Sequence, residues 1–321
     1  MGPDSIPVMV MDYSAIASRT EQGKTMAQDT FDTHRELPSP ELESIAKTLV
    51  GFERHYEALK KHLMVVLMPD QVDEWSWKYH KDIIPLCQVI QQRYPLFLFS
   101  GDVGTGKTVT AECAANRLTR DMEKEGFLLK LSTRVRGKGL HGEMSQLIQD
   151  AFENLTTQAG KKRLSFLLID EADSIASVRS TEQMHQEEKA AVNTLIQKID
   201  EIRQVGGRAV VFLCTNRANV IDQAIVRRAA LHIEFFRPNK EACLELLKHD
   251  LEGIKLTEDE LDQLASLTSE GGHHGDDGYS FSDFRLRFLP EALARAFPDR
   301  ALTFDVLKET VLAVKPSPRI V

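Results

Sequence analysis

The hydrophobic positions beyond residue 95 form short runs that alternate with amphipathic stretches. Five apolar runs have the length of strands and lie at 96–99, 127–131, 165–169, 209–214 and 232–235. Stretches with helical spacing, such as 144–155 and 187–202, separate them. This alternation predicts an α/β fold with a parallel five-stranded sheet that carries helices on both faces.

The pattern changes on either side of this region. Beyond Pro238 leucines recur at helical spacing without further strand-like runs, which predicts a small helical domain over 238–321. Residues 1–36 are mostly polar and weakly periodic, and we expect a flexible N-terminal arm there. The α/β domain then spans 37–237.

The chain is acidic, with 48 Asp and Glu against 40 Lys and Arg in 321 residues and a formal net charge of −8. An acidic balance disfavours a nucleic-acid partner. No apolar run reaches the roughly 20 residues of a membrane span. We expect no secretory signal, because the first residues contain no basic region followed by an apolar stretch. The cysteines are far apart in apolar surroundings: Cys87, Cys113, Cys214 and Cys243. We expect reduced thiols in a cytoplasmic protein, and neither a disulfide framework nor a zinc site.

Residues 101–108 read GDVGTGKT and match the pattern G-x-x-x-x-G-K-[ST] at every required position. The segment, called the phosphate loop below, follows the first predicted strand and precedes a helical stretch, as the pattern requires. Glycines let the backbone N–H groups point inward at phosphates. Lys107 is expected to contact the β- and γ-phosphates, and the Thr108 hydroxyl to ligate Mg²⁺. The sequence therefore predicts a nucleoside triphosphate site.

Two further polar positions follow predicted strands. Asp170 and Glu171 come directly after the run at 165–169 and are expected at the carboxyl edge of the sheet, where ligands of open α/β folds bind. Asp170 would complete the Mg²⁺ shell, and Glu171 would orient and polarise the attacking water. Asn216 follows the run at 209–214 and is a candidate hydrogen-bond donor to the γ-phosphate or the water.

The chain resembles the AAA+ ATPase family from about residue 49 to 293. The motifs above lie in the order and near the spacings of that family, and so do Ile221, Asp222, Arg227 and Arg228. The resemblance implies an ATP site with Mg²⁺ and a helical lid domain. It also implies that Arg227 is an arginine finger reaching the nucleotide of a neighbouring subunit, which requires a ring, normally a homohexamer. Asn216 takes the position of the first sensor. The implied ATP-binding residues are Val50, Gly51, Asp102, Val103, Gly104, Thr105, Gly106, Lys107, Thr108 and Val109.

Three segments are similar to the pachytene-checkpoint-type AAA+ remodelers, which act on HORMA-domain proteins. They are 192–202 (VNTLIQKIDEI), 225–229 (IVRRA) and 286–290 (LRFLP). In that group the basic residue falls at the position of Arg228, so both Arg227 and Arg228 remain candidates for the finger. The third segment implies that Arg287 is the second sensor, with Arg285 as a substitute.

Residues 138–143 (KGLHGE) occupy the position of the axial pore loop in these remodelers. Leu140 stands where an aromatic residue is usual, and His141 follows it. The resemblance implies that both contact an extended polypeptide in the channel, with less contact area from Leu140 than from an aromatic ring.

Eukaryotic members of this group carry a folded N-terminal domain, whereas about 40 mostly polar residues precede the core here. In this respect the chain resembles bacterial members associated with CBASS anti-phage systems. The resemblance implies disassembly of a HORMA protein from its nucleotidyltransferase (CD-NTase), driven by ATP.

Three alternatives stay open. A clamp-loader or helicase-loader ATPase would act on DNA, against which the acidic balance and the Leu140 loop weigh. An unfolding partner of a separate protease would act on many proteins; the chain has no peptidase motif of its own. A scaffold that binds ATP without hydrolysing it would need neither Glu171 nor the arginine pair.

Overall fold

A six-stranded sheet forms the centre of the larger part of the molecule. The computed structural model describes residues 31–131, 143–160, 162–177, 186–205 and 207–319. The strands are β1 (Phe31–Leu37), β2 (Leu96–Gly101), β3 (Gly126–Leu131), β4 (Leu164–Ile169), β5 (Ala209–Thr215) and β6 (Leu231–Phe235). Their order across the sheet is β1-β3-β4-β5-β2-β6.

Strands β2 to β6 are mutually parallel and correspond to the five predicted strands. The sixth strand, β1, pairs antiparallel with β3 at one edge, so the predicted count of five is corrected to six. The predicted arm, 1–36, overlaps this strand from Phe31 onward. Its side chains alternate between half-buried and exposed, and only Leu37 is buried. A polar edge strand of this kind lacks the apolar run by which the inner strands are found.

Helices cover both faces of the sheet, as predicted. They are α1 (Pro40–Lys47), α2 (Phe52–Leu67), α3 (Pro69–His80), α4 (Pro85–Gln91), α5 (Lys107–Asp121), α6 (Glu143–Ala159), α7 (Gln186–Ile202) and α8 (Gln223–Val226). One core cluster joins α6 and α7 to the sheet, and a second joins α1, α2 and α5 to its opposite face. Parallel strands buried on both faces are nearly continuous apolar runs, which is why the sequence reveals them.

The C-terminal part is helical and has its own core. Its helices are α9 (Lys240–Asp250), α10 (Glu258–Thr268), α11 (Phe281–Asp283), α12 (Leu289–Ala296) and α13 (Phe304–Ala313), and a π-helical turn spans Phe284–Phe288. Tyr279, Phe284 and Phe288 pack in the centre of that core. We call residues 238–319 the lid below; the boundary at 237/238 remains our proposal.

None of the helices in the described part of the chain combines the length and the apolar character needed to cross a membrane. The predicted pore-loop residues Leu140 and His141 lie outside the described residues.

Candidate nucleotide-binding site

The phosphate loop turns from β2 into α5 through three glycines with positive φ: Gly101 (+141°), Gly104 (+74°) and Gly106 (+92°). Residues other than glycine rarely adopt such backbone angles. At Gly101 a Cβ atom would also stand 2.0 Å from the carbonyl oxygen of Phe235 in the neighbouring strand β6. The glycines therefore shape a turn that opens onto the N-terminus of α5, where N–H groups are free to bind an anion.

Lys107 is the first residue of α5, and its side chain is buried. The ammonium group donates hydrogen bonds to the carbonyl oxygens of Gly101 (3.0 Å) and Asp102 (2.7 Å) in the loop itself. Burial lowers the pKa of Lys107, while the nearby Asp170 carboxylate opposes that shift. The cation therefore lies within the turn that would receive phosphate groups.

Thr108 and Asp170 meet at the carboxyl edge of the sheet. The Thr108 hydroxyl donates a hydrogen bond to Asp170 Oδ2 over 2.9 Å, and the Lys130 ammonium lies 3.2 Å from the same oxygen. A hydroxyl and a carboxylate are ligands that suit Mg²⁺. The described residues contain no group of three or more acidic, histidine or cysteine side chains arranged to hold a metal. The two oxygens therefore fit an ion that takes its remaining ligands from phosphates and water.

Glu171 follows Asp170 in a left-handed conformation with a φ of +50°. Its backbone N–H donates to Asp170 Oδ1 over 3.0 Å, and its side chain is exposed. A residue other than glycine in this region carries a strain of about 1–3 kcal/mol, and such strain is concentrated at functional sites. The turn thus holds two adjacent carboxylates in different surroundings, one hydrogen-bonded and one accessible to water.

Asn216 lies at the same sheet edge, half-buried, directly after β5. Strand β5 pairs with both β2 and β4, with Thr215 opposite Ser100. The Thr215 hydroxyl donates to Asp173 Oδ1 over 3.0 Å and accepts a hydrogen bond from the N–H of Arg217. This contact fixes the chain on both sides of Asn216. The structure therefore brings the phosphate loop, the acidic pair and Asn216 to one edge.

A cavity of about 910 Å³ lies between the phosphate loop and the lid. Its walls include six of the predicted ATP-binding residues: Val50, Gly51, Gly104, Thr105, Gly106 and Val109. His55 also lines it and stacks on Phe235 with ring centroids 4.7 Å apart. Burial, followed by the charge of Arg54, lowers the pKa of His55, which favours an uncharged ring. The volume and the aromatic and apolar walls suit a nucleoside.

The two lid arginines differ in their surroundings, although both lie on the π-helical turn. Arg285 lines the cavity, where it is paired with both carboxylate oxygens of Asp250 (2.7 and 2.9 Å) and donates to the carbonyl of Thr48 (2.7 Å). Arg287 is exposed, bonds Asp283 at 3.2 Å, and is absent from the described cavity lining. The substitute that the sequence offered, Arg285, is therefore the arginine that reaches the cavity.

The two finger candidates also differ. Arg228 holds both oxygens of Asp200 (2.6 and 3.0 Å) and lies over the ring of Tyr94. Arg227 is exposed, and its guanidinium has no ion pair or hydrogen bond with any described residue. Neither lines the cavity of its own chain as described.

Sequence reasoning missed His55 as a cavity residue, and it missed Arg237, whose side chain is buried and paired with Asp102. No local pattern marks either residue. Asp102 carried a signal, because a carboxylate within a phosphate-binding turn requires a cation nearby.

Residues 97–237 match the model of the ATPase family associated with various cellular activities (AAA). The chain is 47% identical over 289 residues to CD-NTase-associated protein 6 of Escherichia coli strain KTE188, across 90% of this chain and 96% of that protein.

Two solved structures are also similar. One is the structure of the E. coli MS115-1 HORMA:CdnC:Trip13 complex, in which a chain matches with a TM-score of 0.86 and 34% identity, covering 93% of this chain and all of that one. The other is the structure of Rhizobiales Trip13, with a TM-score of 0.70 and 30% identity over 90% of this chain and 99% of that one.

Proposed function

The chain belongs to the AAA ATPase family, and from this membership we propose that it uses ATP hydrolysis to remodel a HORMA-domain protein in a bacterial CBASS system. The observation that carries the proposal is the match, along 93% of the chain, to a protein solved together with HORMA and CdnC partners. The preserved phosphate loop and the exposed Glu171 support hydrolysis over a purely structural use of ATP.

We propose the following catalytic roles, which the geometry of the site supports. Lys107 would bind the β- and γ-phosphates, and Thr108 with Asp170 would hold Mg²⁺, which would neutralise charge on the phosphates. Glu171 orients the attacking water, and Asn216 hydrogen-bonds the γ-phosphate or that water. Val50, Gly51 and His55 would surround the base, and Arg285 would line the same cavity from the lid.

We further propose that six copies form a ring. Arg227 has no partner among the described residues of its own chain, which leaves its guanidinium available to a neighbour's nucleotide. A fixed guanidinium there stabilises charge that develops on the transferred phosphoryl group. Leu140 and His141, placed by sequence in the pore loop, would contact the HORMA polypeptide in the channel.

The partners follow from the same proposal. A HORMA-domain protein is the substrate, and a CD-NTase is released when the complex is disassembled. The site of action is the cytoplasm, where nucleotide signalling in bacteria takes place. Neither DNA nor a membrane has a role in this scheme, consistent with a net charge of −8.

The test uses the purified chain, a HORMA protein encoded beside it and the matching CD-NTase. With MgATP, size-exclusion chromatography should show the HORMA–CD-NTase complex separating into its parts. With Glu171→Gln, the complex should instead co-migrate with the ring. A complex that persists with active ATPase present would contradict the proposed substrate, and binding of DNA that weakens with salt would favour a loader.

A further inference from the structure

Arg237 lies in the connection between β6 and α9, where the chain passes from the sheet to the lid. Its side chain is 4% exposed, and that of its partner Asp102, in the phosphate loop, is 14% exposed. Arg237 Nε and Asp102 Oδ2 are 2.6 Å apart. An arginine in the connection between the sheet and the lid is thus bound directly to the loop that would hold the phosphates.

The other two nitrogen atoms of the guanidinium group donate hydrogen bonds to the lid. Arg237 Nη1 donates to the carbonyl oxygen of Gly278 over 2.6 Å, and Nη2 donates to that of Ser317 over 2.8 Å. Gly278 precedes α11, and Ser317 lies in the segment after α13. One side chain therefore connects three segments that are far apart in the sequence.

A second set of contacts fixes the same segments to each other. Asp283 Oδ1 accepts hydrogen bonds from the N–H (3.1 Å) and the hydroxyl (2.6 Å) of Ser317, and Oδ2 accepts from Ser280. Burial acts to raise the pKa of Asp283, but the hydrogen bonds from Ser317 and Ser280 hold the pKa below its usual range. The C-terminal segment is thereby tied to α11.

The lid in turn rests on the phosphate loop. The N–H of Ser282 donates to the carbonyl oxygen of Gly104 over 3.1 Å. A Cβ atom at Gly104 would lie 2.7 Å from Ser280 Oγ and from Ser282 Cβ. A movement of the lid therefore changes contacts with the loop at Gly104 and, through Arg237, at Asp102.

The carboxylate of Asp102 disfavours the binding of a polyphosphate to this loop, because the two negative charges repel each other. Its Oδ1 is held by the N–H of Val103 over 2.8 Å, while Oδ2 faces Arg237. Removing one partner of a buried ion pair leaves the other charge uncompensated. Arg237 therefore provides positive charge at Asp102 Oδ2, which reduces the repulsion between this carboxylate and a bound nucleotide.

We propose that Arg237 is a positioning residue for ATP binding, which neutralises Asp102 and couples the phosphate loop to the lid and to the C-terminal segment around Ser317. The proposal concerns nucleotide binding by this chain and does not depend on which protein the ATPase remodels. A failed HORMA assay would leave it intact.

The experiment is a charge-rescue series measured by calorimetric titration with a non-hydrolysable ATP analogue and Mg²⁺. Arg237→Gln should weaken binding by about 10-fold or more, because the guanidinium that faces Asp102 Oδ2 beside the ligand is lost. The double variant Asp102→Asn/Arg237→Gln should return to within about 3-fold of the wild type, since both charges are gone. The control is Arg295→Gln, a surface arginine on α12 paired with Glu291, which should bind as the wild type does.

Two outcomes would overturn the proposal. The first is an unchanged affinity of Arg237→Gln for the ATP analogue, and the second is a double variant that binds the analogue as weakly as Arg237→Gln does. The second would mean that Arg237 only supports the fold. Should Arg237→Gln not fold, Arg237→Lys provides the test, because it keeps the charge and loses the planar set of donors. It should bind the analogue within about 3-fold of wild type but lose nucleotide-dependent protection of amides 278–283 in hydrogen exchange. Weak binding or full protection in this variant would contradict the proposal.

Discussion

The hydroxyl of Thr108 donates a hydrogen bond to the carboxylate of Asp170 over 2.9 Å. The two residues are 62 positions apart in the sequence: Thr108 is the second residue of α5, after the phosphate loop, and Asp170 comes directly after β4. The contact brings together the oxygen ligands proposed for Mg²⁺, next to the ammonium group of Lys107. Because the rest of the site extends from this point, several of its residues are suited to direct tests.

Lys107→Ala should reduce the affinity for MgATP by about 100-fold, since the buried cation proposed to bind the phosphate oxygens is lost. Titration with a fluorescent ATP analogue measures the effect, and the control is Lys124→Ala, an exposed lysine outside the site. Tight binding that survives in Lys107→Ala would remove the assignment of the phosphate loop.

Glu171→Gln should bind ATP normally and hydrolyse it at least about 100-fold more slowly than the wild type, because an amide does not activate water as a carboxylate does. Steady-state release of phosphate measures turnover. Glu153→Gln, on the exposed side of α6, serves as the matched control. Normal turnover by Glu171→Gln would place the activating group elsewhere.

Arg227→Ala should lower hydrolysis by roughly 10³-fold if its guanidinium acts on a neighbouring nucleotide. Mixed with Lys107→Ala subunits, which supply an intact arginine, it should regain part of the activity. Arg228→Ala should chiefly lower the free energy of unfolding by about 1 kcal/mol, since it loses the partly exposed pair with Asp200. Rescue of Arg228→Ala alone would transfer the finger role to that residue.

Asp250 should contribute to stability in a pH-dependent way. Burial acts to raise its pKa, but hydrogen bonds from Arg285 and His249 leave the pKa below its ordinary value of 3.8. A depressed pKa in the folded state means that this contribution is present above about pH 4 and lost as the pH falls further. Asp250→Asn should therefore flatten the pH dependence of the unfolding free energy below about pH 4. The exposed Asp299→Asn is the control, and an equal flattening in it would contradict the assignment.

Leu140→Ala should leave basal ATP hydrolysis unchanged and slow the disassembly of the HORMA complex, because less side-chain area would grip the polypeptide. Leu140→Trp should preserve or speed disassembly, since it restores the aromatic side chain usual in this loop. The rate of CD-NTase release measures both effects. Wild-type rates in Leu140→Ala would argue against the pore-loop role.

Much of the fold follows from local pattern. The inner strands are apolar because both faces of a parallel sheet are buried, and each predicted run lies within β2 to β6. The edge strand β1 escaped prediction, because one polar strand with alternating burial resembles an ordinary surface segment. Gly51 interrupts the helical pattern before α2, and its φ of +75° explains why a glycine stands there.

The phosphate loop, the acidic pair and Asn216 were identified from sequence because each is a short motif at the end of a strand, and parallel strands bring those ends to one edge. The arginines were not resolved in this way. Arg285 and Arg287 are two positions apart and lie on opposite sides of a helical turn, and only the packing of the lid decides which of them lines the cavity. Arg227 and Arg228 are adjacent, and only packing against Asp200 and Tyr94 distinguishes them.

The amino-acid sequence by itself determined the chemistry of the phosphate site and the order of the inner strands, because both depend on residues close together along the chain. Tertiary structure decided which distant side chains complete the site. Asp102 and Arg237 are 135 positions apart. They pair only because folding brings the connection between β6 and α9 beside the phosphate loop. Charge compensation over such a separation leaves no local pattern, since it depends on distance in space and not on spacing in sequence.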